Sequence, residues 1–426
     1  MPIRKRVFTT KKRNSVAAIE PGSPVKKTKR AEGSAVWFVE LPPRRGDPGL
    51  VLACGQGDVG QLGLGDAVTE RSRPALVPGL DSVVQVCAGG MHTVAVDKDG
   101  QVLTAGCNDD GALGRDTAEE GSESRPGKVS LPAKAVQVSA GDSHSAALLE
   151  DGRVFAWGSF RDFHGVMGLT KAGVQRSPVQ VLPSVRFAKV ASGVDHLVLL
   201  SETGEVYTCG CGEQGQLGRV PERAAGRDNS RRGIGLLLDP APVKLGARKA
   251  SKFSDIWAVS YGTFIKEKDK DVIYVFGLNN YCQLGLKDLS CHFHPQLSAE
   301  FSGKKWLKIC GGLHHTLALD SEGITYSLGR EEYGRLGLGQ GSGDARKPTP
   351  VLEEKCVDIA CGGTVSFAVT DTGQLYGWGM GSNGQLGLAS EDDVYRPAPV
   401  RSKQLEARRV LQVDAGGQHT VILASP

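Results

Sequence analysis

The sequence predicts an all-β chain folded as a seven-bladed β-propeller, and three observations predict it. First, a strand-like run ending in glycine recurs seven times: Leu52-Ala-Cys-Gly55, Leu103-Thr-Ala-Gly106, Phe155-Ala-Trp-Gly158, Tyr207-Thr-Cys-Gly210, Tyr274-Val-Phe-Gly277, Tyr326-Ser-Leu-Gly329 and Tyr376-Gly-Trp-Gly379. Second, these glycines are spaced 51, 52, 52, 67, 52 and 50 residues apart. Third, eight residues after six of them stands another glycine (Gly63, Gly114, Gly218, Gly285, Gly337 and Gly387), each directly after a leucine. Four strands repeated at this period describe propeller blades. The period is too long for WD repeats, and no Trp-Asp pair occurs.

Each element has its own reason. Residues 1–47 read as a basic disordered tail, because their first thirty are rich in Pro, Ser, Thr and Lys and lack periodicity. Residues 48–426 read as the propeller. Pro48-Gly-Leu-Val-Leu-Ala-Cys54 is a strand with no preceding partner, and the last unit, ending Val421-Ile-Leu-Ala-Ser-Pro426, lacks the strand that should follow it. The N-terminal strand is therefore expected to complete the last blade and close the ring, removing exposed edges. Inside a unit, Val83-Val-Gln-Val-Cys-Ala-Gly-Gly90 leads to Met91-His-Thr-Val-Ala-Val96 and the Asp97-Lys-Asp-Gly100 turn. Apolar–polar alternation marks strands and Asp-Gly marks a hairpin. Arg73-Pro-Ala-Leu-Val77, Ser177-Pro-Val-Gln-Val181 and Arg396-Pro-Ala-Pro-Val400 supply fourth strands, since proline suits an outer edge.

Composition excludes several classes. Glycine is 57 of 426 residues, but not at every third position, so collagen is out. No stretch approaches the ~20 apolar residues of a membrane span, and Met1-Pro-Ile-Arg-Lys-Arg6 leads into no secretory core. The ten cysteines read as reduced, small buried hydrophobes. Cys209-Gly-Cys211 and Cys291-His-Phe-His294 have no ligand-like second half, so neither a metal nor a cofactor is expected.

The net charge of +4 hides a split. Residues 1–30 carry ten basic groups and one acid, or +9, which leaves 4 − 9 = −5 on the remainder. Lys11, Lys12 and Arg13 are followed, after twelve residues, by Lys26, Lys27, Lys29 and Arg30. Two such clusters look like a bipartite nuclear import signal, a ligand for importin-α. The same cations suit DNA phosphates, and a merely solvating tail is the bland alternative.

The repeats serve as an internal alignment. A histidine in Gly-x-x-His recurs as His92, His144, His196, His315 and His419. A general base is needed once, not five times, so these are expected to hydrogen-bond between neighbouring blades. The preceding residue varies (Met91, Ser143, Asp195, His314, Gln418) and should lie on one face around the axis. The third repeat departs most. After Gly158 it reads Ser159, Phe160, Arg161, Asp162, Phe163, His164, Gly165, Val166, Met167, Gly168, stretching the interval of eight to ten. This is either a protein-contact wedge or a harmless loop variant. In the fourth repeat, Arg219, Arg223, Arg227, Arg231 and Arg232 suit an acidic surface or phosphates, unless they form a solvated loop.

With these motifs in view, the chain resembles the regulator of chromosome condensation family. The resemblance covers essentially residues 48–426 and rests on the repeated Gly-Gln-Leu-Gly and Gly-Gly-x-His-Thr units. It is strongest in Trp157-Gly-Ser-Phe-Arg-Asp-Phe-His-Gly-Val166 and Cys211-Gly-Glu-Gln-Gly-Gln-Leu-Gly-Arg-Val-Pro-Glu222. It implies a guanine nucleotide exchange factor for the small GTPase Ran, nuclear and held on nucleosomes, making no covalent bond. Residues 160–167 look like the wedge that pushes into the GTPase near its phosphate loop. Asp142, Asp195, Arg219 and His314, with Asp58, His92 and His419 as weaker carry-overs, match its exchange surface. The Arg223–Arg232 loop is similar to one that grips the acidic patch of the nucleosomal histones. The second reading is a non-catalytic chromatin-binding or scaffold propeller of the same superfamily. The start, Met1-Pro2-Ile3-Arg4, and the segment Ala258-Val-Ser-Tyr-Gly-Thr-Phe-Ile265 depart from the family pattern.

Overall fold

The computed structural model describes residues 37–43, 46–227, 233–246 and 251–426. The import-signal residues and Arg231 and Arg232 lie outside the described residues. Phe38–Pro426 is one compact unit. Within it Leu41 packs against the hydrophobic core shared by blades 2 and 3, and the Val39 N–H donates to the Glu202 carbonyl, so residues ahead of 48 also lie against the blades.

Among the described residues there are seven antiparallel four-stranded sheets and one two-stranded hairpin. Blades 1 to 6 follow one another as residues 83–128, 135–181, 187–242, 253–298, 306–350 and 356–399. Blade 7 takes its two inner strands, Val410–Ala415 and His419–Ala424, from the C-terminal end. Its two outer strands, Leu50–Gln56 and Glu70–Leu76, come from the N-terminal end. The pairs Leu50↔Ala424 through Gly55↔His419 join the ends. The expected closure is present, and the N-terminal end supplies the edge strand as well.

Burial follows position in the blade. Second strands such as His144–Leu149 and His196–Ser201 are buried throughout, because the neighbouring blades cover both their faces. Hence they read as nearly continuous apolar runs. The edge strand Glu70–Leu76 is exposed over its first four residues and holds Pro74, which keeps its outer side from pairing.

One device escapes the sequence pattern. Every innermost strand carries a bulge between its first and third residues, as at Val83/Gln85 and Phe187/Lys189. A bulge re-aims the next side chain, and here it sends the third residue towards a neighbouring blade. Gln85 exchanges two bonds with the backbone of Val138, Gln137 with Val190, and Gln412 with Val86. Lys189 pairs with Asp255, and Lys308 with Asp358, whose other oxygen accepts the Val413 N–H.

The recurrent histidines lock the blades one strand further out. Nε2 of His92 meets Ser145 at 2.8 Å, His196 meets Thr263 at 3.0 Å, His315 meets Ser366 at 2.8 Å and His419 meets Thr93 at 3.0 Å. Each of those hydroxyls already donates to a carbonyl, so Nε2–H is the donor to it. Burial drives the imidazole pKa down to about 4 for His92 and about 3 for His196 and His419. No helix among the described residues is long and apolar enough to cross a membrane.

Candidate functional site

The ladder pairs His92↔Gly106, His144↔Gly158 and His196↔Gly210 bring the residue before each histidine and the residue after each glycine to one rim. Gly158 has φ 95°, and a Cβ there would strike the Ser143 carbonyl, so only glycine makes this turn. From it the inserted segment rises as a hairpin, Phe160–Asp162 paired with Gly165–Gly168.

The hairpin is rooted in the core and bare at its tip. Phe160 is fully buried and meets the His144 ring edge-on at 4.7 Å. Blade 3 has Leu197 where other blades offer a hydroxyl, so His144 has no hydrogen-bonding partner at either ring nitrogen among the described residues. Met167 is buried, whereas Phe163 at the tip is 90% exposed and Val166 is 40% exposed.

Side chains of the neighbouring blades clamp this wedge. The Arg161 N–H donates to Asp195 Oδ1 at 2.7 Å, and its guanidinium pairs with Asp110 Oδ2 at 2.6 Å. The Phe163 N–H donates to Glu213 Oε2 at 3.1 Å. Arg227 donates from Nε and Nη2 to the two Asp162 oxygens at 2.9 and 2.7 Å. Its Nη2 also donates to the carbonyls of Gly165 at 3.3 Å and Val166 at 3.1 Å.

The root of the wedge is acidic. Burial pushes the Asp195 pKa up to about 7, and the nearby Asp142 and Asp162 carboxylates add to this, against the Arg161 N–H and charge. Burial also raises Asp142, opposed by the Ser143 hydroxyl and Arg161. Gly90 faces Asp142 so closely that a Cβ would collide with the carboxylate. Tyr261 of blade 4 stands where other blades carry the residue before histidine; burial, Asp195 and Asp142 all raise its pKa. A channel of about 800 Å³ runs between the innermost strands, with Asp142, Arg161, Asp195, Tyr261, Thr364 and Gln418 among its lining.

The structure thus brings together Asp142, Asp195 and the whole 160–167 wedge, and adds Asp110, Glu213 and Tyr261, which sequence reasoning missed. Asp110 and Glu213 lie 51 and 50 residues from their wedge partners, one repeat to either side. That periodicity is the signal that could have found them. His314 is on the same rim two blades on, edge-on to Tyr281 at 5.2 Å. Burial, Arg335 and Arg330 lower its pKa. Asp58 is exposed in the loop after the Leu50–Gln56 strand.

Four placements differ from the expectation. His92 and His419 are buried and spent on blade–blade bonds, so they are not part of a surface. Arg219 donates to the carbonyls of Thr208, Leu236, Leu237 and Asp239 and to the Thr208 hydroxyl. Arg115 holds the equivalent Thr104 in the same way, which marks this arginine as architecture. Arg227 grips the wedge instead of standing free with the exposed Arg223. No group of three or more His, Cys, Asp or Glu among the described residues could hold a metal ion.

Fold and site together define an RCC1-like propeller with a clamped insertion in its second blade, and residues 50–422 match the RCC1-like domain. The chain is 54% identical to the regulator of chromosome condensation of Mus musculus, over 88% of this chain and 91% of that protein. It is 31% identical to the guanine nucleotide exchange factor SRM1 of Saccharomyces cerevisiae, over 87% and 86%. The crystal structure of Prp20p from that yeast, described with its binding properties to Gsp1p and histones, superposes with a TM-score of 0.80 at 31% identity, covering 90% and 93%. Yeast RCC1 (Prp20) bound to Kap60 gives 0.82 at 29%, covering 95% and 96%. The chain belongs to the regulator of chromosome condensation family.

Proposed function

We propose that this protein is a guanine nucleotide exchange factor for the small GTPase Ran. It works in the nucleus on chromatin, generating Ran-GTP for nucleocytoplasmic transport and mitosis. The observation that carries the reading is the wedge: an aromatic tip, Phe163, held out from an acidic root by groups from the two flanking blades. A scaffold has no use for such a projection, whereas a GTPase must be pried open.

Exchange makes and breaks no covalent bond, so it needs only tighter binding to the nucleotide-free GTPase than to the loaded one. By linkage, nucleotide affinity then falls by the same factor. A nanomolar nucleotide is held by about 12 kcal/mol, which sets the scale the complex must offset. The acidic Asp142 and Asp195 repel phosphates and compete for the phosphate-loop lysine, while the wedge displaces the loop. The GTP excess of the cell sets the direction.

Chromatin retention is assigned to Arg223 and its neighbouring arginines on the histone acidic patch, and to the basic tail on DNA phosphates. The tail also serves importin-α, as the Kap60 complex of the yeast relative supports. The test is release of fluorescent GDP from Ran. Wild type accelerates it and Asp195→Ala abolishes the acceleration with folding intact; unchanged release in that variant overturns the site.

A further inference from the structure

The arginine-rich segment and the wedge are assigned to different partners above, yet one side chain joins them. Arg227 lies five residues after the 3-10 turn Glu222–Ala224 begins, and it reaches blade 2 through four hydrogen bonds. Two go to the Asp162 carboxylate on the outgoing leg of the hairpin, and two to the Gly165 and Val166 carbonyls on the returning leg. Both legs are therefore tied by one guanidinium, which also spans the turn that carries Phe163 and His164.

Charge makes the tie costly to lose. The Asp162 side chain is only 1% exposed, and its ion pair is with Arg227. A buried carboxylate stripped of its cation is strongly unfavourable. Asp162 belongs to a short hairpin with a solvent-exposed tip, so it can reach water by swinging the wedge away from the rim. The remaining clamps all hold the outgoing leg, Asp195 and Glu213 through the backbone N–H groups of Arg161 and Phe163 and Asp110 through the Arg161 guanidinium, and none of them touches Gly165 or Val166. Exposed Arg223 has no such role, so the two arginines differ in kind despite their shared setting.

We propose that Arg227 is a positioning residue for exchange, fixing the wedge at the angle from which Phe163 enters the GTPase. It rests on the exchange reading, but the geometry gives it a readout of its own. A lysine keeps the charge and cannot make two parallel bonds to a carboxylate, so it does not replace Arg227.

The experiment takes the full chain as wild type, Arg227→Ala, Arg227→Lys and Asp162→Asn. Amide hydrogen exchange over residues 158–168 is measured first, then fluorescent-GDP release from Ran over a range of GTPase concentration. Both Arg227 variants are expected to lose wedge protection by about tenfold, with the second strands of the blades protected as in wild type. Exchange kcat is expected to fall about tenfold with KM changed less than about twofold, because the docking surface stays in place. Asp162→Asn on top of Arg227→Ala adds nothing further, as coupled partners require. Wedge protection that is unchanged in Arg227→Ala, or restored in Arg227→Lys, overturns the proposal. If wild type does not accelerate release, the exchange reading fails by itself, and the amide measurement still decides whether Arg227 sets the wedge.

Discussion

The Asp195 carboxylate of blade 3 accepts the backbone N–H of Arg161, in the wedge of blade 2, at 2.7 Å while its pKa stands at about 7. A group that titrates near neutrality thus holds the root of the projecting element. Burial is the main cause of the raised value, so the charged form is what the fold tolerates poorly.

Asp195→Asn is therefore expected to stabilise the protein at alkaline pH. Between the ordinary carboxylate value and about 7, the folded state keeps a proton that the unfolded chain has lost, so stability falls as pH rises across that window. Asparagine keeps the acceptor oxygen and removes the charge. At pH 8 the gain should be about 1–2 kcal/mol, shrinking towards pH 4, while exchange falls. Melting curves at pH 5, 6 and 8 check this; equal stability of variant and wild type at pH 8 contradicts it.

The buried histidines at the blade seams predict the opposite slope for the molecule as a whole. His92, His144, His196 and His419 have pKa values of about 4, 3, 3 and 3, all lowered chiefly by burial. Their neutral forms stabilise the fold fully above the ordinary value of ~6.5, and that stability is lost as pH falls below it. Four imidazoles outweigh the single Asp195, so the melting temperature should drop steadily from pH 6.5 to 4.5. A flat profile in thermal melts would sink this account of the blade seams.

Arg219→Ala should destabilise by about 2 kcal/mol or more, because it strips buried carbonyls of their donor. Arg115→Ala, which removes the equivalent bonds in blade 1, should cost a similar amount. Urea titrations of the two variants read the parallel directly. A stable Arg219→Ala beside an unstable Arg115→Ala denies their equivalence.

Phe163→Ala should leave stability within about 0.5 kcal/mol, since the ring is 90% exposed and packs on no core residue. The same change should cut GDP release from Ran by tenfold or more, about 1.4 kcal/mol. Stability and activity are read on one preparation, and unaltered release removes the wedge tip from the mechanism.

Nucleosome binding should weaken steeply with salt, as counterion release demands, and weaken further in Arg223→Glu. Gel-shift titrations at 50 and 200 mM salt (about tenfold or more apart in affinity) check the first part. Binding that ignores salt excludes a phosphate or acidic-patch contact.

Much of this molecule was legible in advance for a physical reason: a repeated unit aligns with itself. The seven glycine runs, the edge prolines and the orphan strand at residues 48–54 sufficed for the closed ring. The inner ring that begins at Gln85 and Gln137 stayed hidden, because a bulge, and not alternation, decides where those side chains point. The site divides similarly. The wedge and Asp195 stood out as departures from the repeat, whereas the carbonyl bonds of Arg219 did not, although Arg115 stands 104 residues earlier at the matching position. Arg227 could not be placed from sequence, since its partner Asp162 is 65 residues away with no period to link them.

The two-from-each-end construction of blade 7 also governs when the molecule can come into being. Leu50 and its partner Ala424 stand 374 positions apart, so the first strands of the ring wait until its last strand has been made. Contacts that distant are slow to form and leave raw edges in the interval. Until the strand His419–Ala424 is made, the nascent ring is an open arc with unpaired strand edges. A stop codon that deletes only the strand His419–Ala424 forfeits the ring entire, because it takes the keystone from both termini at once.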